Sequence, residues 1–535
     1  MNKTLLTLAA FGLVTGACAQ QNKTAVKYGQ IITADLARKH LDIIASDAFE
    51  GRETGKPGAD KAAHYIADQF KGLGLQPIVN GSYFFDVPVV QSSFKVNSFT
   101  VNGTALASGK DFFAGRGAGT QTINAKDVVF IGYGIGTDNY DDLKSMDITG
   151  KVVMYISSGE PMDNGKSRIS GTDKLSDWSG PRSRKRMTLI QSKKPLLILA
   201  VNTNMGNGNG AGRPGGNGAG AGAARNLPMT IKQEGTSTAA VAYTIPTATA
   251  DMILKNSGKT IADLKAAIDQ SGAPASQTVA ADISTSYATE EIPVKAVDVL
   301  GFMPGSDPKL KDEVVVISAH YDHIGLMPEG SKDMVNNGAD DDGSGTTGII
   351  EIATAFSKAK KDGHGPKRSI LFLGNVGEEK GLLGSQYYTD HPVIPLERTI
   401  TDLNIDMIGR VGTEYIGKAD SSNYVYLIGS GMLSTDLHNV SENANKNYTN
   451  LILDYKYDDL NDPNSFYTRS DHYNFAKHGV PIIFYFNGVH ADYHRPGDEV
   501  SKINFPLLAK RAQLVFYTAW DLLNGDKRPV VDGKR

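Results

Sequence analysis

Hydrophobic positions along the chain change their spacing twice. Over residues 33–46, Leu36, Leu41, Ile43 and Ile44 share one face behind Thr33, a good N-cap, and the spacing predicts a helix. A second helix is predicted over 59–73, with Ala62, Tyr65, Ile66 and Phe70 on one face. Gly72 and Gly74 close it and Pro77 stands just beyond. From 112 to 288 short apolar runs such as 128–132 and Val152–Ile156 predict strands and turns. From 289 onward the strand-like runs 314–318, 370–374, 403–408 and Ile482–Phe486 alternate with helical spacing, most clearly at 345–358. Strand and helix in alternation imply an α/β fold, with a mostly parallel central sheet covered by helices on both faces. Right-handed crossovers then put the C-terminal ends of the strands on one edge, where such folds hold ligands.

These changes of texture divide the chain. Residues 20–111 and 289–525 read as two parts of one α/β domain, 112–288 as a small β-rich insert, and 526–535 as a polar tail. Residues 206–222 hold nine glycines and cannot bury a side-chain core, so they are expected to form a loop. No GxxxxGK[ST] pattern accompanies them, which argues against a phosphate cradle. The basic cluster Arg182, Arg184, Lys185 and Arg186 has no aromatic platform and reads as a solvated loop.

At the start, Lys3 precedes an apolar run over 5–14, too short to span a bilayer and laid out like a secretory signal within 1–19. Two endings fit. Ala17-Cys18-Ala19 is a small-x-small cleavage site, and Cys18 after Thr15-Gly16-Ala17 resembles a bacterial lipobox that would carry a lipid anchor. Either ending predicts export, to the periplasm, the cell envelope or the medium. No later segment holds 18 consecutive apolar residues, so no transmembrane span is expected in the mature chain.

Composition narrows the function classes. Of 535 residues, 40% are hydrophobic and 21% charged, which excludes wholesale disorder. A net charge of −3 gives no long-range attraction to nucleic acid or anionic membrane. The single cysteine excludes an internal disulfide, leaving packing or metal to stabilise the fold.

The residues just past the predicted strands carry the chemistry. His320 and Asp322 follow 314–318, and Asp340-Asp341-Asp342-Gly343-Ser344-Gly345 leads into the predicted helix. Glu378 and Glu379 follow 370–374, Asp406 lies within 403–408, and His490, Asp492 and His494 follow Ile482–Phe486. Imidazole and carboxylate without thiolate suit a hydrolytic zinc site rather than a structural one. The donors exceed the three that one catalytic zinc needs, and would serve two metals sharing a bridging carboxylate and a bridging water. A carboxylate outside the ligand set must then move the proton, and adjacent Glu378 and Glu379 permit that division of labour.

At these residues the chain resembles the co-catalytic di-zinc exopeptidases, a family of bacterial leucyl aminopeptidases and glutamate carboxypeptidase-like enzymes. The likeness rests on Ala319-His320-Tyr321-Asp322-His323, Gly338 to Gly345, Glu378-Glu379-x-Gly-Leu-Leu-Gly-Ser, Asp406, and Asp492-Tyr493-His494, in that order. Ser46 to Arg52 with Thr54-Gly55-x-Pro57-Gly58 resembles the family's N-terminal segment, and 129–134 with 147–153 resembles its protease-associated insert. The resemblance implies two Zn2+ per chain, peptide substrates and an aminopeptidase releasing N-terminal residues. It implies His320 and Asp406 on one zinc, Glu379 and His494 on the other, Asp341 bridging, and a cis peptide after Asp341. Glu378 becomes the general base that activates a metal-bridging hydroxide. Asp322 becomes the group that fixes the His320 tautomer. Tyr493 falls near the oxyanion, and Ser470-Asp471-His472 resembles a segment lining the cleft. Relatives usually carry Asn where this chain has Asp298.

Other readings stand beside this one. A carboxypeptidase or dipeptidase on the same site would need a cation for the substrate carboxylate, for which Arg410 or Arg495 are the candidates. A non-catalytic binding protein on this scaffold would be expected to lose ligands or the base, yet all are present. His40 and His64 read as surface or packing residues, and His323, His472 and His490 as non-ligands. Asp454, Asp458, Asp459 and Asp462 read as a polar loop.

Overall fold

In the strand Val314–His320 every residue is buried, and the same holds for Ser369–Asn375, Thr399–Ile405 and Ile482–Phe486. Strands buried on both faces belong to a parallel sheet covered by helices. The computed structural model, described here for residues 21–114, 119–144, 146–180, 183–205, 228–232 and 239–533, places them side by side. These residues divide into two units, one made of 21–89 with 294–533 and the other of 90–293. The expected signal segment, Cys18 and the whole glycine-rich stretch 206–222 lie outside the described residues.

The discontinuous unit is built on an eight-stranded sheet. Its central strands Ser369–Asn375, Val314–His320, Thr399–Ile405 and Ile482–Phe486 pair parallel in that order. Val297–Met303 pairs antiparallel beside Ser369–Asn375, and Tyr424–Ile428 antiparallel beside Ile482–Phe486. The register aligns His320 with Asn375 and Ser318 with Asn404, so the parallel strands finish on a common edge.

The helix Gly343–Lys361 leaves that edge, capped by Asp342, whose carboxylate accepts from the Gly345 amide at 2.8 Å. It is buried on nearly every side, because it packs on the sheet strands and on the helices Ala34–Ile44 and Phe505–Asn524. Phe356 meets Phe516 at 4.7 Å and Trp520 at 5.9 Å between ring centroids. Each such buried side chain contributes roughly 1.5–3 kcal/mol relative to exposure. The predicted helices and strands appear within a few residues of their expected bounds. The strand expected over 403–408 is an exception. It spans Thr399–Ile405, so Asp406 lies past its end, where the chain turns and Met407 takes a φ of 61°.

The second unit, 90–293, holds a nine-stranded sheet in which Gln121–Phe130, Val152–Ile156, Leu197–Val201 and Val241–Ile245 run parallel. Among the described residues three α-helices, Lys185–Ser192, Thr247–Leu254 and Ile261–Ser271, accompany it beside the strands and turns that the spacing predicts. Arg186 corrects the reading of its cluster as solvated. It is buried, donates to the carbonyl of Gly159 at 2.6 Å, and thereby fastens the helix to the end of a strand.

Candidate active site

Five segments reach the common edge. His320 ends its strand, Asp341 and Asp342 precede the long helix across a cis peptide, and Glu378 and Glu379 leave Ser369–Asn375. Asp406 follows Thr399–Ile405, and His494 lies in the loop after Ile482–Phe486. The two oxygens of Asp341 face different partners. Oδ1 is 3.3 Å from His320 Nε2, which is itself 3.7 Å from Asp406 Oδ1. Oδ2 is 3.1 Å from His494 Nε2, which is itself 3.1 Å from Glu379 Oε2. His320, Asp341 and Asp406 are buried, whereas the His494 side chain is 37% exposed and opens the second half to solvent.

Among the described residues two groups, His320 with Asp342 and Asp406, and His323 with Asp341 and Glu379, each bring three donor atoms together and could hold a metal ion. Among the described residues, neither His320 Nε2 nor Asp341 Oδ2 completes a hydrogen bond despite these short distances, and both are buried. Buried polar atoms are rarely left so, and an ion is one resolution. Ion pairs of Asp341, Glu379 and Asp406 within the described residues go to histidines and to no lysine or arginine. Burial opposes charge on His320, yet the Asp406 and Glu378 carboxylates push it well above its ordinary value. Burial opposes charge on His494 too, but Asp341 and Glu379 push it up to about 10. The crowded carboxylates thus demand positive charge, and nitrogen with oxygen donors is the set zinc takes in hydrolytic sites.

Glu378 is placed differently from its neighbour. Its amide donates to Asp322 Oδ1 at 3.2 Å, and its half-buried carboxylate lines the cleft without a hydrogen bond to any described residue. Burial first, then Glu379 and Asp406, push that carboxyl well up, against the pull of His320. The same cleft is lined by Asp341, Asp406, Met407, Phe466, Phe484, Phe486, Val489, Arg469 and Tyr493.

The structure corrects several details. The Asp322 carboxylate stands 3.8 Å from His320 Nδ1, and the hydrogen bond from that nitrogen goes at 3.0 Å to the Asp322 carbonyl oxygen. The carboxylate is spent on Thr54 and on the Glu378 amide, so Asp322 positions the base segment as much as the histidine. Ser470, Asp471 and His472 do not line the cleft. They are fully buried beneath it, with His472 stacked on Phe484 at 4.6 Å. Tyr493 does line the cleft, its ring stacked on His494 at 3.9 Å. Arg410 is not a free cation, because it pairs with Asp492 at 3.0 Å and Asp498 at 3.5 Å. Asp298, the departure from the family pattern, is buried and accepts from the Val376 amide at 2.9 Å.

Spacing in the chain did not assign the roles of some contributors. His323 is buried and its Nδ1 bonds Glu379 Oε1 at 2.9 Å, fixing the carboxylate that faces His494. Asp498 accepts from the Asp340 and Asp341 amides, at 3.0 Å each, so the turn that follows His494 also grips the backbone of Asp341. Arg52, fully buried, donates to the carbonyls of Ile44, Tyr321, Asn337 and Gly338, joining the His320 and Asp341 segments from behind. Spacing alone pointed to none of these contacts, although His323 beside His-x-Asp was visible as a candidate donor.

Residues 298–519 match Peptidase family M28. Over 225 residues the chain is 32% identical to a probable leucine aminopeptidase of Trichophyton verrucosum, covering 40% of this chain and 56% of the relative. It is 27% identical over 232 residues to aminopeptidase YwaD of Bacillus subtilis, covering 41% and 43%. The chain thus spans about half the length of the curated relatives it matches. Among solved structures, an aminopeptidase from Aneurinibacillus sp. strain AM-1 aligns over 96% of this chain and 98% of its own, with a TM-score of 0.48 and 17% identity.

Proposed function

We propose, from a segment over 298–519 that is similar to Peptidase family M28, that this chain is an exported di-zinc aminopeptidase releasing N-terminal residues from peptides. One observation carries the reading: Asp341 presents its two carboxylate oxygens to two separate pairs, His320 with Asp406 and His494 with Glu379. Those five residues would hold two zinc ions. Bound zinc supplies Lewis acidity toward a peptide carbonyl and toward water. Glu378, whose carboxylate faces the cleft without a hydrogen bond to any described residue, takes the proton of the attacking water and delivers it to the leaving amine. Thr54, through Asp322, steadies the amide of that base. The relatives that the chain matches are named as aminopeptidases, which favours the amino end. Export rests on the signal-like residues 1–19.

The test compares peptides blocked at either end. Carboxyl-blocked peptides with a free N-terminus should be cleaved and amino-blocked ones spared; the reverse order overturns the amino-end reading. Zinc should measure two per chain. Glu378→Gln should lower kcat by about 10²–10⁴-fold while keeping both ions, and wild-type turnover in that variant would remove Glu378 as the base.

A further inference from the structure

Among the described residues one cation lines the cleft, and its neighbours do not use its charge. Arg469 lines it together with Asp341, Glu378 and Asp406. Three other arginines near the site are occupied, and Arg495, exposed beside His494, does not line the cleft. Arg52 and Arg511 are fully buried and donate to backbone carbonyls, and Arg410 pairs with Asp492 and Asp498. Among the described residues Arg469 has no carboxylate within ion-pair distance. Its guanidinium lies 4.9 Å from the centre of the Phe466 ring, and Nη2 donates to the Tyr493 hydroxyl at 3.2 Å. Phe466 is buried, and Tyr493 is held by stacking on His494. The fork is therefore oriented from two sides while most of its five donors stay open.

We propose that Arg469 anchors a carboxylate of the substrate, so that this site prefers short peptides bearing a carboxylate close to the scissile bond. This rests on the peptidase reading above for the word substrate, but not for the anchoring itself. A planar guanidinium with free parallel donors binds a carboxylate through two charge-assisted hydrogen bonds, which an exposed lysine would not reproduce. The acidic lining does not cancel it once Asp341 and Asp406 are committed to cations, which leaves Glu378 as the one uncommitted carboxylate among the described lining residues. The apolar wall of Met407, Phe484, Phe486 and Val489 excludes water from one side of the cleft, which strengthens such a contact. The carboxylate has two sources, the C-terminus of a dipeptide or an acidic side chain beside the cleaved bond.

Four substrates separate them: Leu-Leu, Leu-Leu-amide, Leu-Glu-amide and Leu-Gln-amide. In the wild type, kcat/KM should favour Leu-Leu over its amide by about tenfold or more if the terminus is read, or Leu-Glu-amide over Leu-Gln-amide if the side chain is read. In Arg469→Met that ratio should fall toward one, and Arg469→Lys should keep part of it. No preference in the wild type, or an unchanged ratio in Arg469→Met, overturns the proposal and leaves Arg469 as a lid over Phe466. A second readout needs no turnover. Calorimetry on zinc-loaded Glu378→Gln should show tighter binding of the carboxylate-bearing peptide than of its amide, and Glu378→Gln/Arg469→Met should lose the difference. A wild type that cleaves none of the four would remove the peptidase reading, while calorimetry would still decide on Arg469.

Discussion

Asp341 illustrates what one side chain does by geometry alone. A carboxylate has two equivalent oxygens, and here each has its own histidine. Asp341→Asn keeps the size but replaces one oxygen by a donor. Metal content should fall from two per chain to one or fewer, measured by plasma mass spectrometry after dialysis. His320→Ala should likewise lose metal, and full occupancy in it would contradict its assignment. His472 gives a prediction of a different kind. Burial pushes its proton affinity down to about 3, against the bond its Nε2 donates to the Tyr467 carbonyl. The folded state thus binds fewer protons than the unfolded state between pH 3 and 6.5. The stability from keeping His472 neutral is full above pH 6.5 and drains as pH falls, by about 1.4 kcal/mol per unit. Urea unfolding at pH 7 and pH 5 should show His472→Gln losing less than the wild type over that interval, by about 2 kcal/mol.

At the scale of elements, the site depends on how closely segments approach. The helix Pro57–Leu73 begins where Gly58 meets the preceding turn, and a Cβ there would stand 1.9 Å from the Phe49 carbonyl oxygen. Alanine normally favours a helix over glycine, yet Gly58→Ala should destabilise by about 1–3 kcal/mol because backbone must move. The change would shift Arg52 as well, and with it the loops at Tyr321 and Gly338. Thermal unfolding and zinc retention, measured on the same sample, should both fall.

For the whole molecule, two units imply two unfolding transitions rather than one. The five residues proposed as zinc ligands belong to the unit formed by 21–89 and 294–533. Ions bound there stabilise that unit in proportion to the logarithm of their free concentration over Kd. A chelator should lower the transition of that unit and leave the transition of 90–293 in place. Movement of both transitions by the same amount would count against this assignment of the metal site.

Periodicity and strand-end chemistry in the chain determined the alternation of strands and helices, the mostly parallel character of the central sheet, and which residue types stand at its edge. Those features follow from local spacing, since apolar runs must be buried and parallel strands must end together. Tertiary structure decided the rest. Which oxygen of Asp341 meets which histidine, the use of the Asp322 carbonyl in place of its carboxylate, the grip of Asp498, the pairing that removes Arg410 from the cleft and the freedom of Arg469 all join positions distant in the chain. Such contacts depend on strand register and loop path, and no short-range pattern of residues encodes them.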